Sequence, residues 1–405
     1  MIALKHPHTH TPPHLFLFDV DGVLVDARGY LRALQDTVAH FARRMGVGDP
    51  ALTEDEVRAG EAHGLTSEWD SAPTYILTLL IERLRCAPSL ALPARWDDAL
   101  DMLAAHPLSL PHLDYLPLVA RVGARQRDFK ETSHAVRSVL WDDAQSLPEA
   151  QREAVGAILD ELLGDTHNFD RAPVTRYFQH LAIGSAGVEQ TYGIAPYFEM
   201  QPYLLDYDVA DLSPETAARV RDAASTGRIY PVIYTARPSL PPNGSAAPAN
   251  GYSPEAELAQ TLVGLEGWPL IGLGRLQWLA AHRNGQTAQM VKPSPVQALA
   301  AIGAAVGPEV TALEAALDFH TTGELRGPLS DLGATTVHIF EDTVGGMGGV
   351  CGAVELLQAA GVDIRWKPYG ITPATGAKAE AMAAQGIPTY RSVNNAVETA
   401  LQHAL

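Results

Sequence analysis

Cysteine is almost missing from this chain: Cys86 and Cys351 are the only two in 405 residues. That excludes a disulfide framework and a cysteine-rich zinc site, and it suits a reducing compartment, so a cytoplasmic location is expected. Positive charge is also scarce, with 29 Lys and Arg against 47 Asp and Glu and a formal net charge of −18. A broad basic face for nucleic acid is therefore not expected, because phosphate backbones demand clustered cations. No apolar run approaches the roughly 18 residues that a spanning helix needs, and LFLF at 15–18 is too short for a signal-peptide core. These absences predict a soluble, unprocessed chain with no membrane partner. They leave room for a small phosphorylated metabolite, since a metal and a few local cations reverse the sign inside a single pocket.

What is present reads as ordinary globular material: 46% of residues are hydrophobic and 19% charged, over a length sufficient for two domains with cores of their own. The start, KHPHTHTPPH, carries His6, His8, His10 and His14 among prolines. It reads as a flexible His-rich tail over 1–11, because metal selectivity needs a fixed geometry. Residues 15–19 form an apolar run ending in Asp19 and soon followed by Gly22, the pattern of a buried strand breaking into a loop.

From Tyr30 to Arg221 the apolar residues fall at helical spacing, as in LRALQDTVAHFARRM, APTYILTLLIERL and ETAARVRDAAS, which predicts a long helical insertion. Strand and helix then alternate. IYPVIYTAR, PLIGL, AQMVK, TVHIFED, VDIRWK and PTYRS are strand candidates, separated by helices such as PVQALAAIGAAV and GAVELLQAA. This alternation predicts an α/β fold with a doubly wound parallel sheet. The stretch 238–254, rich in Pro, Gly and small polar residues, predicts a mobile surface loop.

Ligands of such sheets gather outside the carboxyl ends of the strands, and four short segments fall there. DVDG offers two carboxylates one residue apart, Asp19 to attack and Asp21 to manage protons. YTAR supplies a hydroxyl, Thr235, and the backbone of Ala236 and Arg237 to meet a phosphoryl oxygen. KPSP offers a cation, Lys292, and FEDT two carboxylates, Glu341 and Asp342, for a hard cation. Taken singly, each has a structural explanation: Asp and Gly suit a turn, Thr a helix start, Lys a surface. GGMGG at 345–349 lacks the spacing and lysine of a P-loop and reads as a tight turn. Arg28, Trp69 and Asp70 are further candidate substrate contacts, with structural or surface roles as the simpler reading.

In order and combination, DVDG, YTAR, KPSP and FEDT resemble the haloacid dehalogenase (HAD) superfamily, and a large insertion between the first two resembles the C1-capped, subfamily IA-like phosphatases. The resemblance implies a HAD-like Rossmannoid core over 12–28 and 222–405 and a mainly α-helical cap over 29–221. It implies catalytic roles for Asp19, Asp21 and Lys292, and phosphate binding by Thr235, Ala236, Arg237 and Lys292. It also implies Mg2+ held by Asp19, Asp342, Glu341 through water, and the main-chain carbonyl of Asp21. The activity it implies is phosphatase action through an aspartyl-phosphate. Asp21 argues against a dehalogenase, which needs no acid there. A phosphomutase of the same superfamily keeps the pair, and a non-catalytic phospholigand-binding or regulatory protein is the alternative from another class.

Overall fold

The computed structural model describes residues 13–48, 52–129, 131–245 and 251–404. The expected tail at 1–11 and positions 246–250 of the expected loop lie outside them, and the remainder of that loop, 238–245 and 251–254, holds neither helix nor strand. The chain divides into two compact units, one within 1–27, 208–247 and 252–405, the other mainly Arg28–Tyr207. Among the described residues no helix is long and apolar enough to cross a membrane.

The second unit is all helical: α1 (Gly29–Arg44), α2 (Glu54–Ala62), α3 (Glu68–Arg85), α4 (Trp96–Ala104), α5 (Leu116–Arg125), α6 (Thr132–Ala144), α7 (Glu149–Leu163), α8 (Pro173–Tyr192) and the short α9 (Tyr203–Asp206). α3 is its axis, buried without interruption from Asp70 to Leu77 and packed against α1, α6, α7 and α8. Near its end the buried Arg83 donates to the carbonyls of Met45 at 2.9 Å and Leu103 at 3.3 Å. A cation thus closes the C-terminal ends of α1 and α4, where the unpaired carbonyls and the dipole favour it. Asp70 accepts from Thr166 Oγ1 at 2.6 Å, and Trp69 Nε1 donates to Gln179 Oε1 at 2.8 Å. Both candidate substrate contacts therefore have partners inside this unit. Arg28 stands at the start of α1.

The first unit is an α/β fold. Its sheet contains β1 (His14–Phe18), β4 (Ile229–Tyr234), β5 (Leu270–Ile271), β6 (Thr335–Glu341), β7 (Ile364–Ile371) and β8 (Thr389–Tyr390), all parallel, in the order β5-β4-β1-β6-β7-β8. β2 (Val25–Asp26) and β3 (Val209–Ala210) form a separate antiparallel pair at the two ends of the helical insertion. The helices are α10 (Pro214–Ser225), α11 (Glu255–Leu262), α12 (Leu273–His282), α13 (Pro295–Val306), α14 (Glu309–Thr322), α15 (Val344–Ala359), α16 (Ala377–Ala384) and α17 (Val393–Ala404).

After His14, β1 is apolar from Leu15 to Phe18 because both its faces are covered there. Leu15 and Leu17 join the cluster built on α12 to α15, while Phe16 and Phe18 join the opposite one with α10, α11 and α17. This alternation follows from the two-residue period of a strand. Phe18 stands opposite Ile233 on β4 and Phe340 on β6, so the residues that follow these strands emerge side by side.

Two sequence expectations are corrected. AQMVK is not a strand: its first two residues lie in a 3-10 turn at Thr287–Gln289, and Met290 and Val291 both donate back to the carbonyl of Thr287. Its single apolar pair is too short to compete for a place in the sheet. The helix ETAARVRDAAS, expected to close the insertion at 221, is α10 and belongs to the α/β unit, where Ala217, Val220 and Ala223 pack on the Phe16 and Phe18 face. The helical unit ends at Tyr207 instead.

Candidate functional site

Asp19 is the first residue beyond β1, and its backbone N–H still donates to the carbonyl of Phe340 at 3.0 Å. Its carboxylate is thereby fixed beside the end of β6. Lys292, on the loop before α13, places Nζ 2.8 Å from Asp19 Oδ1 and 2.9 Å from Glu341 Oε2. The ring of Tyr234 adds a cation–π contact 4.8 Å from the same nitrogen. Glu341 ends β6 with no exposed surface, and its other oxygen accepts from Thr343 Oγ1 at 2.7 Å and from the Thr343 N–H at 3.2 Å.

Thr343 in turn caps α15 by accepting from the Gly346 N–H at 3.1 Å. GGMGG is therefore the opening of a helix and not the expected turn. A Cβ at Gly346 would collide with the Glu341 carboxylate, which is why a glycine stands there despite its poor helix propensity.

Asp342 follows β6 and lies in the same group: oxygens of Asp19, Glu341 and Asp342 come within 4.8 Å of one another. Gly22, at φ +72°, lets the turn after β1 pass this cluster, since a Cβ there would sit 2.6 Å from Asp342 Oδ2. Lys378, in the first turn of α16, pairs with that oxygen.

Burial pushes the Asp19 carboxyl well above its ordinary value, the Glu341 charge adds to this, and Lys292 opposes it. Asp342 is raised by burial against the pull of Lys378. For Lys292 burial works against the charge, but Asp19 and Glu341 prevail and raise it. These directions agree on one physical picture: Lys292 stays charged, and one ammonium shared by two buried carboxylates leaves a deficit of positive charge.

Asp21 faces elsewhere. Arg237 Nη2 lies 2.6 Å from Asp21 Oδ1 and Arg237 Nε 3.0 Å from Asp21 Oδ2, and Nη2 also reaches Asp208 Oδ2 at 3.0 Å. The guanidinium and the Asp208 carboxylate are buried, whereas the Asp21 side chain is 43% exposed. Arg237, expected to meet phosphate, is thus used as the clamp on Asp21. The Asp21 carboxylate stands outside the three-carboxylate group, which leaves only its main-chain carbonyl in the expected ligand role. Thr235 is buried, and its Oγ1 accepts from the Arg237 N–H at 3.1 Å, a turn-closing bond that does not use the hydroxyl proton. Ala236 stands exposed between them.

Asp208, Thr343 and Lys378 are the contributors that sequence reasoning missed. Thr343 follows the FEDT carboxylates directly and carries a helix-start signal; Asp208 and Lys378 belong to no motif. No family model and no curated protein matches the sequence. Among solved structures the chain is similar to a Northeast Structural Genomics Consortium target, at 14% identity and a TM-score of 0.61 over 96% of this chain and 100% of that one. It also matches phosphatase Tt82 from Thermococcus thioreducens, at 15% identity and a TM-score of 0.43 over 96% and 99%. The first of these likenesses is one of fold.

Proposed function

We propose that the chain is a magnesium-dependent phosphatase that hydrolyses a small phosphorylated metabolite through an aspartyl-phosphate, on a HAD-like site. The observation that carries this reading is the buried group of Asp19, Glu341 and Asp342, with oxygens within 4.8 Å of one another and Lys292 Nζ 2.8 Å from Asp19.

The donor set fits a hard divalent cation: it is all oxygen, it is buried, and its positive charge is in deficit. Asp19 and Asp342 would hold the ion, with the Asp21 main-chain carbonyl and with Glu341 through water. When bound, magnesium neutralises phosphoryl charge and helps keep Asp19 ionised.

The chain's own groups then divide the work. Asp19 attacks phosphorus, forming an O–P bond as the bond to the leaving oxygen breaks. Asp21 donates its proton to that oxygen. The Asp21 carboxylate next takes a proton from water, whose oxygen attacks phosphorus, and Asp19 is released with inorganic phosphate. Lys292 offsets charge on Asp19 and the phosphoryl group throughout, and the Thr235 hydroxyl and Ala236 backbone meet a phosphoryl oxygen.

The test is a phosphate-release screen with magnesium over sugar phosphates, nucleotides and amino-alcohol phosphates. At least one class is expected to turn over, with Asp19→Asn lowering kcat about 10³-fold or more. Asp342→Asn should weaken magnesium binding by calorimetry and lower turnover with it. No release from any class, or an Asp19→Asn protein as active as wild type, overturns the reading.

A further inference from the structure

α13 is an apolar helix with a single polar side chain. In PVQALAAIGAAV only Gln297 carries an amide, and it has no exposed surface. A buried amide is costly unless its donors and its acceptor are used. Here they are: Nε2 donates to the carbonyl of Thr235 at 2.7 Å and to that of Ile271 at 3.0 Å, and Oε1 accepts from the Lys292 N–H at 2.9 Å. Two carbonyl acceptors and one N–H donor around it fix which end of the amide is which.

The three partners come from three segments. Thr235 is the first residue beyond β4, Ile271 ends β5, and Lys292 lies on the loop before α13. The simpler role for Gln297 is to satisfy carbonyls where the sheet ends. That accounts for only part of the arrangement, since the Ile271 carbonyl already accepts from the Thr235 N–H at 3.2 Å, and carbonyl capping needs no bond to Lys292. The bond to the Lys292 N–H has a different consequence. It fixes the backbone from which Nζ reaches Asp19 at 2.8 Å and Glu341 at 2.9 Å. The ring of Tyr234, the neighbour of Thr235, lies 4.8 Å from the same ammonium. The lysine is thus held at both ends, with Gln297 setting its root against the end of β4.

We propose that Gln297 is a positioning residue: it fixes the Lys292 backbone against Thr235, so that the ammonium and the Thr235–Ala236 segment meet the same phosphoryl group. This rests on the phosphatase reading above and adds to it a fully buried residue that acts only through others.

The test uses the full chain with Gln297→Met, which keeps the shape and removes all three bonds, assayed with magnesium well below its melting temperature. On the best substrate kcat should fall about 10–100-fold, the upper figure being the cost of a misplacement of about 1 Å. KM and calorimetric magnesium affinity should stay within about threefold of wild type. Orthovanadate, a mimic of the phosphoryl transition state, should lose affinity by a factor similar to that in kcat. Gln297→Asn keeps the amide but shortens its reach by a methylene; it should show the same pattern, and it decides the matter if the Met variant does not fold. A role confined to the fold would lower the melting temperature and leave kcat within about twofold, or would move magnesium affinity and KM along with kcat. Either result overturns the inference. The two readings fail separately. Hydrolysis with kcat unmoved in both variants removes the positioning role alone. No hydrolysis of any monoester by wild type, with vanadate binding that both variants weaken, removes the phosphatase reading and leaves Gln297 as the residue that positions Lys292; with no vanadate binding either, both fall.

Discussion

Two aspartates of one turn are set to different tasks by what touches them. Asp19 is buried between an ammonium and a second carboxylate, while Asp21 is half-exposed and gripped by the fork of Arg237, itself anchored on Asp208. A guanidinium makes two parallel bonds to a carboxylate that an ammonium does not reproduce. If Asp21 protonates the leaving oxygen, Arg237→Lys should lower kcat/KM on alkyl phosphates, which reports the steps up to leaving-group departure, by about 10–100-fold, part of the roughly 10²–10⁴-fold that a general acid contributes. On 4-nitrophenyl phosphate, whose leaving group departs without a proton, the loss should stay within about threefold. Equal losses on both would mean that Arg237 only supports the fold. Asp19, Asp21, Lys292, Glu341 and Asp342 were legible in the sequence because each sits in a short motif beside an apolar run. Asp208 and Lys378 were not: each is a lone charge carried to its partner, 29 and 36 positions away, by the fold.

Among the elements, β6 carries the site carboxylates at its end and a titratable group at its centre. His338 has no exposed surface; its Nε2 lies 2.9 Å from His14 Nδ1 on β1 and its Nδ1 3.1 Å from the Tyr369 hydroxyl on β7. Burial pushes its pKa down to about 3, with the neighbouring His14, Lys367 and His403 adding to the effect. An unfolded histidine titrates near 6.5. As pH falls through that value the unfolded chain takes up a proton that the folded chain refuses until about pH 3. The contribution of His338 to stability is thus complete above about pH 6.5 and falls by about 1.4 kcal/mol per unit below it. Denaturant titrations at pH 7 and pH 5 should show wild type losing about 2 kcal/mol through this group. His338→Gln, which keeps polar atoms for both neighbours, should lose correspondingly less; an unchanged pH slope would refute the assignment. β1, β4, β6 and β7 were readable as apolar runs with clear ends. AQMVK and GGMGG were misread because their local composition is decided by contacts: Met290 by burial in the core, Gly346 by the approach of Glu341.

For the whole molecule, the decisive feature is where the insertion leaves and rejoins the α/β unit. Val25 pairs with Ala210 and Asp26 with Val209, antiparallel, which puts the two ends about 5 Å apart. The described members of both apolar clusters on the sheet lie outside 28–207, so that unit has a complete core of its own. Replacing 28–207 by a short Gly-Ser linker should therefore leave a protein with one cooperative thermal transition. Magnesium binding should persist by calorimetry, because Asp19, Glu341 and Asp342 all remain. Cutting instead at 29–221, the boundary that helical periodicity alone suggests, removes most of α10 and with it Ala217 and Val220 from the Phe16 and Phe18 face. Leu212 goes too, and the loss is about 1.5–3 kcal/mol for each large side chain, enough to exhaust much of an ordinary domain's stability. The longer excision should thus melt at lower temperature or without cooperativity. If it proved the more stable of the two, α10 would belong with the helices that precede it.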